Sequence, residues 1–113
     1  MSLDVDLIVT MPTSVYTSNI THNLGKMASA VVLESGLTLY QCLWRPEEVG
    51  ITHAGCLGEY LDEGLKILLS SPEEYKKYNP ENGWGSYDGL VRFVNAYLNA
   101  CLENPEAEVS VSR

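Results

Sequence analysis

DVDLIVT (residues 4–10) alternates: Val5, Leu7 and Val9 point one way, and Asp6, Ile8 and Thr10 the other. That is the period of a strand with one apolar face, and Pro12 is expected to end it. Its counterpart stands near the other end of the chain. In EAEVSVS (residues 106–112), Ala107, Val109 and Val111 alternate with Glu108, Ser110 and Ser112. Two strands alone are marginal in water. They must pack against the segments between them, be extended by residues 37–43, or pair across a subunit interface.

The chain between the strands reads mainly as helix. Residues 13–20 (TSVYTSNI) are rich in turn-formers and β-branched residues and read as an exposed loop. Thr21 is placed to cap a helix over about 22–34, with Ile20, Leu24, Met27, Ala28 and Val31 on one face and Gly36 as its C-terminal glycine. Residues 37–44 (LTLYQCLW) fit either a strand or a short helix ended by Pro46. Leu57, Leu61, Leu65 and Leu68 mark a helix over 53–69, which Thr52 could cap. Ser71-Pro72-Glu73-Glu74 has the form of a capping box and should start a short helix through Tyr78. Ser86 caps the longest helix, about 87–103, whose stripe is Tyr87, Leu90, Val91, Val94, Leu98 and Cys101. The fold class that follows is α+β: three main helices and a short fourth packed on a small sheet that pairs the N- and C-terminal strands, in one domain over residues 1–113.

Composition narrows the partners. The 113 residues are 45% hydrophobic and 19% charged, which suits an ordinary globular domain. Fifteen acids against seven bases give a net charge of −8, which disfavours a nucleic-acid partner or an anionic membrane. No apolar run reaches transmembrane length and none reads as a signal peptide. The three cysteines, Cys42, Cys56 and Cys101, are scattered with no CxxC, so neither a redox motif nor a zinc knuckle is signalled. A reducing cytoplasm fits them best. No cofactor motif is present: there is no P-loop, dinucleotide glycine signature or HExxH. Two histidines with no cysteine near either make a metal site a poor expectation.

Three segments taken together resemble a known family: Ser18-Asn19-Ile20-Thr21-His22-Asn23-Leu24 through Met27-Ala28, then Leu43-Trp44-Arg45-Pro46-Glu47-Glu48, then Asn82-Gly83-Trp84-Gly85 running on to Val109-Ser110-Val111-Ser112-Arg113. The family is one of small bacterial and phage-encoded proteins with no established activity. The resemblance covers most of the chain after residue 18. It implies a bacterial cytoplasmic or phage-associated setting and says nothing of chemistry.

Three clusters could carry function. Asn19, Thr21, His22 and Asn23 gather at an expected helix start, where unpaired backbone N–H groups favour an anion. His22 there is the one candidate acid–base. The plainer reading is that Thr21 and Asn23 cap the helix and His22 is a surface residue. Trp44 and Arg45 could offer a stacking face and a fork for an anion, or be a core tryptophan beside an arginine paired with Glu47 or Glu48. Trp84 and Tyr87, set among Gly83 and Gly85, could line a site or simply anchor the last helix. If these three segments converge, they form a site. The expected function is a non-enzymatic binding module for a small anionic ligand, such as a nucleotide, or for a protein partner. The alternative is a small enzyme using His22 as acid–base with Arg45 binding an anionic substrate. A sheet this small leaves edges open, so a homo-oligomer is also expected.

Overall fold

The computed structural model describes residues 2–10 and 13–113; the expected stop at Pro12 lies outside them. β1 (Ser2–Thr10) is the central strand of a three-stranded antiparallel sheet of order β2-β1-β3. β2 (Thr13–Thr21) takes one edge and β3 (Glu108–Ser112) the other. The first and last strands therefore pair, as their alternation predicts. Leu3 faces Ile20 on β2; Val5 lies between Ser18 and Val111, and Leu7 between Tyr16 and Val109. Leu3, Val5 and Leu7 are wholly buried on this face. The opposite face carries Asp4, Asn19 and Ser112, then Asp6, Thr17 and Ser110, and is left to solvent. Val9 does not join the buried row: the register shifts between Leu7 and Ile8 and again between Ile8 and Thr10, and Val9 is 54% exposed.

β2 corrects the expected loop over 13–20. Its threonines, valine, tyrosine and isoleucine suit a pleated half-buried surface, and Tyr16, Ser18 and Ile20 alternate onto the core side. Turn-forming composition pointed the other way because Ser14, Ser18 and Asn19 weigh as turn residues wherever they stand.

The first expected helix is also much shorter than 22–34. A single 3₁₀ turn at His22–Leu24, with Thr21 Oγ1 accepting from the Asn23 N–H at 3.3 Å, leads into α1 (Gly25–Ser29). The chain then leaves the helix through Val31, Val32 and Leu33, as the adjacent β-branched Val31 and Val32 favour, and Val32 bridges to Thr38. Gly36 is the left-handed residue of that tight turn (φ +94°), not a helix cap. The turn is closed by Leu33 N–H donating to Leu37 O at 2.8 Å. Met27, Ala28 and Val31 are buried all the same.

Residues 37–44 settle as helix α2 (Leu39–Trp44). Thr38 and Gln41 form a reciprocal capping box, with the Thr38 N–H on Gln41 Oε1 at 2.9 Å and the Gln41 N–H on Thr38 Oγ1 at 3.2 Å. α3 (Ala54–Ser70) begins one residue later than expected, with His53 rather than Thr52 at its N-cap. α4 (Pro72–Lys76) has proline in its first turn, but the Ser71 side chain makes no cap bond and the helix stops short of Tyr78. α5 (Tyr87–Glu103) is capped as the sequence predicts, Ser86 Oγ accepting from the Gly89 N–H at 3.0 Å.

The two 17-residue helices build the body. α5 meets the sheet through Tyr97, whose ring stacks on Tyr16 of β2 at 5.8 Å between centroids. It meets α3 where Gly58 lets the backbones close on Cys101. α2 packs on α3 at Gly64, where a Cβ would stand 2.8 Å from Leu39 Cδ1. Among the described residues no helix is long and apolar enough to cross a membrane.

The Tyr97 hydroxyl is the anomaly of this core. The residue is fully buried and the hydroxyl has no hydrogen-bond partner; burial drives its pKa far up. An unsatisfied buried hydroxyl costs about 1–3 kcal/mol. Tyr97→Phe keeps the stacked ring and removes that cost. It is expected to leave stability unchanged or raise it by about 1 kcal/mol, read from urea unfolding.

Candidate functional site

Two clefts meet at the turn that follows β2. The first, of about 690 Å³, is lined by His22, Asn23 and Lys26 from that turn and by residues 77–81 from the segment after α4. The second, of about 500 Å³, is lined by Ser2, Asn19, Thr21, Asn23 and Trp84. Asn23 belongs to both.

What brings these segments together is the loop between α4 and α5. Asn79 Oδ1 accepts the Tyr87 N–H at 2.8 Å, and Asn82 Oδ1 accepts the Trp84 N–H at 2.9 Å. Gly83 (φ +76°) and Gly85 (φ +109°) take left-handed conformations that side chains resist. At Gly85 the backbone also presses on the end of β2: a Cβ there would lie 2.9 Å from Thr21 Cγ2 and 3.0 Å from Leu24 Cγ. The loop is thereby seated on Thr21 and Leu24, with residues 77–81 beside His22 and Trp84 beside Asn19.

The sequence candidates divide accordingly. Asn19, Thr21, His22, Asn23 and Trp84 line the paired clefts. Trp44, Tyr87 and Arg45 do not. Trp44 is buried between Tyr40, stacked at 5.2 Å, and His22, edge-on at 6.1 Å. It supports the imidazole from behind and presents no stacking face to a ligand. Tyr87 is buried too; its hydroxyl donates to Leu68 O at 2.6 Å and ties the start of α5 to the end of α3. The Arg45 guanidinium is held by Glu48 at 2.6 Å, and donating this hydrogen bond to the carboxylate raises its pKa. His22 and Arg45, the pair an acid–base enzyme would need on one substrate, do not line a common cleft.

His22 itself is half-buried. Its Nε2 is enclosed with no hydrogen-bond partner.

The basic residues of the first cleft were not among the sequence candidates. Lys26 follows His22 by four residues, a spacing that places side chains on one helical side; that signal was in the sequence. Lys77 and Asn79 carried none, since nothing local sets them against His22. Among the described residues Lys26 has no carboxylate within salt-bridge distance, and Lys77 has only the solvent-exposed Glu74 at 3.3 Å, a pairing of small worth. Glu81 is the one acid in the lining, set against two lysines.

The cysteines stand apart from this chemistry. Burial pushes the Cys42 and Cys101 thiols up to about 12, so neither is a nucleophile at neutral pH; Cys56 is exposed on α3. Among the described residues no three His, Cys, Asp or Glu side chains gather as metal ligands.

No family model, curated protein or solved structure matches the chain.

Gly85 is the residue on which the clefts depend. Gly85→Ala combines a disfavoured φ with a contact on Thr21 and Leu24, and is expected to cost about 1–3 kcal/mol. Gly36→Ala, at another positive φ but with open space around it, is expected to cost less. Chemical denaturation of the two variants makes the comparison, and equal losses would show that the packing on Thr21 is immaterial.

Proposed function

We propose that the chain is a non-enzymatic binding module for a small anionic ligand, a phosphate or carboxylate compound, held in the cleft between His22–Lys26 and residues 77–81. The observation that carries this reading is the charge of the cleft. In a chain of net charge −8, its lining sets Lys26 and Lys77 against Glu81 alone and adds the amides of Asn23 and Asn79 and the His22 imidazole. Ammonium groups and neutral donors converging on one concavity suit an anion. A helix start does not supply the attraction: α1 is five residues long, and the donors are side chains.

Inorganic phosphate and citrate, titrated calorimetrically at low ionic strength, test it. Binding of at least one, weakened about tenfold or more by Lys26→Ala combined with Lys77→Ala and reduced by added salt, is expected. Ligand at a hundred times its dissociation constant adds about 2.7 kcal/mol to the folded state, a rise of several degrees in melting temperature. Failure of both anions to bind would contradict the reading.

We also propose that two copies associate through the outer edge of β2. The outer edge of β3 is partly covered, with the Val109 N–H donating to Thr52 O at 2.9 Å and His53 bridging to Glu108. β2 runs nine residues, TSVYTSNIT, with no charge and no proline to deter pairing. Light scattering on the eluting protein is expected to give a dimer that Val15→Lys, at an exposed position of that strand, converts to monomer. A monomer at all concentrations would contradict it.

A further inference from the structure

Trp84 is 70% exposed, yet it is held in place. Its N–H is bonded to Asn82, glycines at positive φ flank it, and Gly85 is seated on Thr21 and Leu24. A rigid turn thus displays a large aromatic side chain to solvent. Among the described residues the lining of the cleft beside it holds no charged side chain: Ser2, Asn19, Thr21 and Asn23 offer hydroxyls and amides around the indole. A π face bordered by neutral donors and acceptors matches a planar heteroaromatic ring with polar edges, and an asparagine amide can pair with such an edge through two bonds at once. This cleft adjoins the anion cleft, because Asn23 lines both and the chain from Lys77 to Trp84 passes from one to the other.

We infer that the two clefts form one bipartite site for a nucleoside monophosphate, with the phosphate between Lys26 and Lys77 and the base stacked on Trp84 against Asn19. The inference rests on the anion-binding reading above and names its ligand class. Asn23, at the junction, is placed to meet the sugar hydroxyls. The site reads a free nucleotide and not a polymer, since the surrounding negative charge repels an extended phosphate backbone.

The test uses the whole chain and three probes: AMP, ribose 5-phosphate and inorganic phosphate, followed by calorimetry and tryptophan fluorescence. AMP is expected to bind roughly tenfold or more tighter than ribose 5-phosphate, the gain that base–aromatic stacking gives, and to quench the emission of the exposed tryptophan. Trp84→Ala, a surface change that leaves the core intact, is expected to bring AMP down to the level of ribose 5-phosphate while phosphate affinity stays the same. Asn19→Ala, also exposed, is expected to weaken AMP alone. If phosphate binds but AMP is no tighter than ribose 5-phosphate, or is indifferent to Trp84→Ala, the base subsite is overturned and the anion cleft stands. If neither phosphate nor AMP binds the unaltered protein, the bipartite site is overturned, and the anion cleft is overturned with it where citrate also fails to bind.

Discussion

Burial of Leu3, Val5 and Leu7 on the central strand is the constraint on which the rest of the structure hangs. Each is wholly removed from water, worth roughly 1.5–3 kcal/mol per side chain. Their row can be covered only if β2 and β3 flank β1 and α5 closes the face. The N-terminal hairpin places Ile20 opposite Leu3, and the chain must then turn at residues 21–24 just where the edge of the sheet meets the helical layer. Both clefts lie at that turn. Their position follows from the strand pairing and not from any local motif.

The loop from Lys77 to Ser86 completes the surface. It forms no helix or strand; its backbone is held by turn bonds, such as the Gly83 N–H on Pro80 O at 3.3 Å, and by side chains. Asn79 and Asn82 accept from Tyr87 and Trp84, while two left-handed glycines turn the chain. Buried contacts at its far end, Tyr87 on Leu68 and Gly85 on Leu24, hold it against the body. A loop so fixed can present Lys77 and Trp84 at defined places, which lowers the ordering cost of binding.

Much of this was legible in the sequence, and what was not has physical causes. The end strands and α5 carry strong periodicity and a clear cap, so Val5, Leu7, Ser86 and Leu90 could be placed by local pattern. β2 was not legible because an edge strand of serines, threonines and asparagine has the composition of a loop; only pairing with β1 decides it. The early end of α1 was written in the Val31-Val32-Leu33 run, outweighed by an apolar stripe that continues through it. Thr38-x-x-Gln41 was a readable cap for α2 and resolves the stretch that alternation left open. Asn19, Thr21, His22, Asn23 and Trp84 stand out in the sequence as polar or aromatic residues at segment ends, and tertiary packing brings them together. Trp44 and Tyr87 looked the same in sequence but are consumed by the core. Lys26 and Lys77, 51 positions apart by their numbering, become neighbours of one cleft only through the seating of the 77–86 loop on Thr21, a non-local fact that no pattern encodes.

The most direct measurement is the set of backbone amide chemical-shift changes when the isotopically labelled protein is titrated with inorganic phosphate. Saturable shifts concentrated at His22, Asn23, Lys26 and residues 77–81, with the sheet's exposed face around Asp6 and Ser110 unmoved, are expected. Shifts spread evenly over the surface, or centred on Arg45 and Glu48, would contradict the placement of an anion site at the turn after β2.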